Sequence, residues 1–244
     1  MAKVILFDLD GTLLPMDTEA FIKNYLGHLA PRVASIIDPQ EFIKALWAGT
    51  EAMMRNLEEE KTNEQVFEET FLKLVKLNKE DIWPTLDEFY SEIFPTLSHL
   101  TSPTPLAKKV VEKALEQGYR VALATNPVFP KVAIYERLRW AGIADMPFEV
   151  VTVYENSTYT KPHTQYYQAI CNRLEIDPTD CIMIGNDKQE DLAASKIGMK
   201  TFLVEGHVID RGEPVYPIDD HGTLEELYEK LTKREGVFRE AVEV

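Results

Sequence analysis

Residues 3–7 (KVILF) form a short, almost unbroken apolar run, the pattern of a strand buried on both faces of a parallel sheet. Beyond residue 15 the rhythm becomes helical. Ala20, Phe21, Tyr25 and Leu29 share one side of a helix over 18–29, with Asp17 or Thr18 placed to cap it. Further helices are expected at 39–48, 50–60, 63–77 and 84–94, with no convincing strand among them. From residue 103 the pattern alternates: helix 106–117 closed by Gly118, strand 119–125, helix 131–140 ended near Gly142, strand 148–154, helix 162–174. Strand 181–185, helix 189–197 stopped by Gly198, strand 200–204 and a closing helix over 222–234 complete it. Such alternation predicts an α/β fold, a Rossmann-like parallel sheet flanked by helices, interrupted after its first strand by a helical insertion.

Composition narrows the functions open to this chain. Its 244 residues are 45% hydrophobic, enough for a real core, and carry 26 basic against 41 acidic residues, a net charge of −15. That balance argues against sequence-independent nucleic-acid binding and against adhesion to an anionic membrane. It also means that any phosphate site needs a cation supplied locally. The segment 16–100 holds 16 acidic and 8 basic residues, which suits a lid better than a polyanion-binding module. Cys171 and Cys181 show no zinc-like spacing and are expected to be buried thiols. No signal peptide and no apolar run of membrane-spanning length is found, so a cytoplasmic protein is expected; oligomeric state is not readable.

Four places carry candidate chemistry. The first strand ends in Asp8-Leu9-Asp10-Gly11-Thr12. Residues two apart in a strand face the same way, so both carboxylates can converge beyond its carboxyl end, where ligands of open α/β sheets gather. Two close carboxylates stay ionised only beside a cation or donors, and oxygen ligands of this kind favour Mg²⁺. The second strand ends in Thr125-Asn126-Pro127, whose hydroxyl and amides could bind a phosphoryl oxygen. Lys161 precedes a proline that opens a helix, a setting that attracts anions. The strand 181–185 runs into Asn186 and Asp187, with Asp191 one turn further on. Each also has a plain structural explanation: solvated aspartates starting a turn, a Thr-Asn-Pro turn, a surface lysine, acidic helix capping.

Taken in order, DLDGTLL, LATNP, TKP and IGNDKQED resemble the four motifs of the haloacid dehalogenase (HAD) superfamily of phosphohydrolases. The resemblance runs from residue 1 to about 230. It implies a HAD-like core made of 1–15 and 101–244, a helical cap over 16–100, and hinges near 15–17 and 101–105. It further implies a Mg²⁺-dependent phosphatase acting on a small phosphorylated metabolite through a phospho-aspartate. Asp8 would be the nucleophile and Asp10 the general acid and base; Thr125, Asn126 and Lys161 would bind phosphate. The metal set would be drawn from Asp8, Asp10, Asp187 and Asp191, with Asp8, the Asp10 backbone carbonyl and Asp187 in direct contact and Asp191 behind or weaker. Many members carry Asp where this chain has Asn186, so which acid touches the metal stays open. Asp10 separates this chain from the dehalogenases themselves, which lack an acid there. A sugar phosphomutase shares the motifs, a phosphonatase would need a cap lysine such as Lys23 or Lys44, and a HAD-like binding module without activity is the non-enzymatic alternative. Arg55, Trp47 and His28 are read as ordinary cap residues.

Overall fold

The structure, a computed structural model, describes residues 3–239. Six strands, all paired in parallel, form one sheet in the order β3-β2-β1-β4-β5-β6. They are β1 (Val4–Phe7), β2 (Arg120–Leu123), β3 (Val150–Val151), β4 (Cys181–Gly185), β5 (Lys200–Val204) and β6 (Asp220–Gly222). The central strand β1 is buried at every position because it is covered on both faces. Ile5 and Phe7 face a core shared with α5 (Pro105–Glu116), α6 (Lys131–Trp140) and α8 (Leu224–Lys233). Val4 and Leu6 face a second core, filled by Tyr166, Tyr167 and Ile170 of α7 (Thr164–Leu174) and by Ala193 and Ala194 of a 3₁₀ turn.

Register places the site. Phe7 stands opposite Leu123 on one side and Ile184 on the other, so three strands end level. The ladder continues one step further: Asp8 N–H donates to the Ile184 carbonyl at 2.9 Å, and Ala124 N–H to that of Phe7 at 2.7 Å. Asp8, Thr125 and the 185–187 turn therefore leave the sheet side by side.

Between β1 and β2 the chain is helical: α1 (Thr18–Leu29), α2 (Pro39–Arg55), α3 (Asn63–Val75) and α4 (Lys79–Glu88), the last continuing through a π turn and a 3₁₀ stretch to Leu100. Asp17 caps α1, accepting from Ala20 N–H at 2.9 Å. The two helices expected at 39–48 and 50–60 are one. Gly49, within that one helix, allows close packing, since a Cβ there would sit 2.7 Å from the Phe67 ring of α3. The connectors at either end of this segment touch, Ser102 N–H donating to the Pro15 carbonyl at 2.8 Å. The segment also rests on the core: Asn63 N–H donates to the Ser157 carbonyl at 2.7 Å and its buried amide to that of Pro127 at 3.0 Å.

Two strands depart from expectation. The strand expected over 148–154 pairs only at Val150–Val151, because Asn156 folds back onto the Val151 carbonyl and Val153 N–H. β6 was not expected at all; it is a polar edge strand of Asp, His and Gly without an apolar pattern. The helix expected over 189–197 is a 3₁₀ turn beginning at Asp191.

Candidate active site

Lys161 is the hub of the sheet's carboxyl edge. Its side chain is 1% exposed, and its ammonium donates to Asp8 Oδ1 at 2.8 Å and Asp191 Oδ1 at 2.6 Å. Burial opposes charge on this lysine, but Asp191 and Asp8 outweigh it and hold its pKa well above the ordinary value. Asp191 turns its other oxygen to the Asp187 N–H at 2.8 Å. It can do so because Gly185 has no side chain, a Cβ there falling 2.2 Å from the Asp191 carboxyl carbon. Asp187 in turn accepts from the Gln189 and Glu190 amides at 3.0 and 2.9 Å. Asp8, Lys161, Asp191 and Asp187 thus form one continuous network.

The Gly-Thr pair after Asp10 serves this network. Gly11 takes φ +82°, and a Cβ would strike the Asn186 amide at 2.3 Å. The Thr12 hydroxyl lies 3.1 Å from Asp8 Oδ2 and 2.9 Å from Asn186 Oδ1. Asn186 also donates to the His207 carbonyl at 2.6 Å, so it ties the first motif to the 207–211 loop. Thr125 is buried, and its carbonyl accepts from the hydroxyls of Thr152 and Tyr166 at 2.7 and 2.8 Å. Asn126 accepts from the Lys161 N–H at 3.3 Å and donates to Glu190 at 2.9 Å.

The sequence reading missed two arginines. Arg137, 1% exposed, pairs with the Asp10 carboxylate and lies 4.4 Å from the Phe129 ring centroid. Burial raises the Asp10 pKa, Arg137 pulls it back, and the Asp8 charge pushes it up again. A signal existed: Ala133, Ile134, Arg137 and Leu138 share the buried face of α6, so the arginine sits at an apolar position of a helical pattern. Arg211 binds both Asp187 oxygens at 2.7 and 2.8 Å and stands 3.7 Å from Glu190. Nothing in its sequence surroundings marks it.

A family model described as haloacid dehalogenase-like hydrolase matches residues 5–204. The chain belongs to that family. It is 28% identical over 218 residues to a phosphoglycolate phosphatase of Vibrio vulnificus, with 87% of each protein covered. A HAD phosphatase from Thermococcus onnurineus superposes with a TM-score of 0.60 at 22% identity, over 95% of this chain and 98% of the other. The HAD-hydrolase YfnB of Bacillus subtilis, solved bound to magnesium, superposes with a TM-score of 0.55 at 20% identity, over 94% and 98%. This chain is a hydrolase of the HAD family with the family's α/β core.

The donors at this HAD site suit a hard divalent cation. Among the described residues no three His, Cys, Asp or Glu side chains form a metal cage, but Mg²⁺ retains several waters and needs only one or two carboxylates. Asp8, which touches Lys161 and Thr12, and Asp187, whose oxygens Arg211 holds, would supply that pair once a cation displaced Arg211. Asp191 is committed to Lys161 and the Asp187 amide, and the Asp10 side chain to Arg137. Charge points the same way: the carboxylates of Asp8, Asp10, Asp187, Glu190 and Asp191 face the cations Arg137, Lys161 and Arg211, leaving two formal negative charges uncompensated. Among the described residues no helix is long and apolar enough to cross a membrane.

Proposed function

We propose that this chain is a HAD-type phosphatase that hydrolyses a small-molecule phosphate monoester through a phospho-aspartate on Asp8, with residues 16–100 acting as a cap over a core of 1–15 and 101–244. The observation that carries it is the buried Asp8–Lys161–Asp191 ion-pair chain at the level carboxyl ends of β1, β2 and β4. Lys161 orients the Asp8 carboxylate while leaving its own charge near the space an incoming phosphoryl group would take. Asp8 attacks phosphorus, and the bond to the ester oxygen breaks as the acyl phosphate forms. Asp10, whose pKa burial raises, donates a proton to the leaving oxygen and then accepts one from the water that attacks the acyl phosphate. Lys161 and the Thr125 hydroxyl bind the phosphoryl oxygens, and Asn126 fixes the Lys161 backbone.

Mg²⁺, held by Asp8, Asp187 and the Asp10 carbonyl, would neutralise charge between nucleophile and phosphate. The fold likeness to a magnesium-bound HAD-hydrolase supports this assignment. With Mg²⁺ the purified protein is expected to release phosphate from an aryl phosphate, to lose turnover with chelator, and to yield an acid-stable phosphoryl adduct on a peptide containing Asp8. Asp8→Asn should reduce kcat by about 10⁴ or more. An active Asp8→Asn protein, or turnover without any adduct at Asp8 after acid quench, overturns the reading.

A further inference from the structure

Beneath the helical segment lies a cavity of about 830 Å³, large enough for a drug-sized molecule and far larger than a phosphoryl group needs. Asn126 and Glu190 form part of its wall, and Asn126 bonds the backbone of Lys161, so the cavity opens beside the proposed reacting centre. Its other walls are mainly aromatic and aliphatic. Rings come from the helical segment (Phe67, Phe71, Trp83) and from the core (Phe129, Tyr135, Tyr154).

The charges in the wall decide what cannot enter. Three cations line it; two are paired with carboxylates and the third lies over a ring. Lys79 pairs with Glu68 and lies 5.0 Å from the Trp83 ring, Arg139 pairs with Glu136, and the Lys131 ammonium rests 5.4 Å from the Tyr135 ring while its backbone N–H donates to Glu155. Four acids, Glu64, Asp87, Glu155 and Glu190, line the same space. A second anionic group on the substrate, a carboxylate or another phosphate, would lose its water facing four acids, with two of the three wall cations already paired to carboxylates.

We infer that the cavity binds the alcohol half of the substrate, and that this half is an uncharged, bulky apolar group, aromatic or an alkyl chain of several carbons. The inference rests on the phosphatase reading for its phosphate end, and it separates this chain from relatives named for small charged esters such as phosphoglycolate.

Trp47 and Trp83 line the cavity, so their fluorescence reports its occupancy without turnover. Titration of the full chain with methyl-, butyl-, hexyl- and octylphosphonate in Mg²⁺ should tighten Kd about fourfold per added methylene, while phosphonoacetate binds no better than methylphosphonate. Leu46→Asp, on the α2 wall, should flatten that dependence, its fold checked by circular dichroism. Affinity independent of chain length in the wild-type protein, or phosphonoacetate binding tightest, overturns the inference. Hydrolysis of the matching phosphate esters separates the two claims. Chain-length-dependent binding without hydrolysis of any ester removes the phosphatase reading and keeps the cavity. Hydrolysis fastest for phosphoglycolate or a sugar phosphate keeps the phosphatase and removes the apolar substrate.

Discussion

The carboxyl edge of the sheet and the cavity above it are built on opposite plans. At the edge, Lys161 and its two carboxylates are almost without water, and each oxygen named in the network has a specific donor. In the cavity, rings meet edge-on or stacked at centroid distances of 5.4 to 6.0 Å, as Phe71 does with Phe42, Phe67 and Trp83, and little fixes direction. Charge buried in a low-dielectric site acts strongly but only from fixed positions, so it suits bond making. Apolar area is forgiving of shape and gives affinity in proportion to contact, so it suits the choice of substrate.

The contrast is broken most severely at its hub. Lys161→Met leaves Asp8 and Asp191 buried against each other without a cation, a loss expected to cost about 3–5 kcal/mol of stability as well as all measurable turnover. The same size of change in the cavity, Leu46→Ala at a partly buried wall position, should cost about 1–2 kcal/mol and leave chemistry in place. Urea denaturation of the two variants measures the gap. Equal losses would mean that the ion-pair chain is no more specific than ordinary packing.

The same division governs what the chain discloses before it folds. Strand ends were legible because β1 and β4 are apolar runs, the first ending at Asp8 and the second at Gly185-Asn186-Asp187, and burial on both faces suits a strand of a parallel sheet. The motif residues Asp8, Thr125, Lys161 and Asp187 therefore fell at the right edge. Their partners did not show, because pairing across the sheet is a long-range matter: Arg137 lies 127 residues from Asp10 and Arg211 lies 24 from Asp187. In the helical segment periodicity found the helices but split α2 in two at 48–50, where Gly49 lets the helix pack closely on Phe67. The cavity was invisible for the same reason, since its walls come from α1 to α4, α6 and three core loops, and Trp47 read alone is only a surface aromatic.

Arg137 sits where the two plans meet, joining Asp10 of the edge to Phe129 of the cavity wall. Its charge lowers the Asp10 pKa against the burial that raises it. Removing it by Arg137→Met should therefore raise that pKa further, so the alkaline limb of the kcat/KM profile that reports protonated Asp10 moves to higher pH. Stability should fall by about 2–3 kcal/mol because a buried carboxylate loses its partner. Arg137→Lys should return the limb toward its original position. A profile unchanged in both variants would assign the limb to another group.

Glu190 gives the smallest effect and the finest test of the boundary, since it faces Asn126 and Arg211 on one side and the cavity on the other. Burial first, and then the charge of Asp187, push its carboxyl from the ordinary 4.5 up to about 7. An acid whose pKa is raised on folding binds more protons folded than unfolded between those two values. Stability is then greatest at low pH, declines as pH rises from about 4.5 to about 7, and carries a constant penalty above. Glu190→Gln removes the titrating group. In chelator, its unfolding free energy from urea denaturation should match the wild type near pH 4 and exceed it near pH 8, by about 1–2 kcal/mol once partial contact with water is allowed for. A variant less stable than wild type at pH 8 would show instead that Arg211 and Asn126 outweigh burial. Glu190 would then belong with the charges of the edge, and the apolar cavity would begin one residue further from the chemistry.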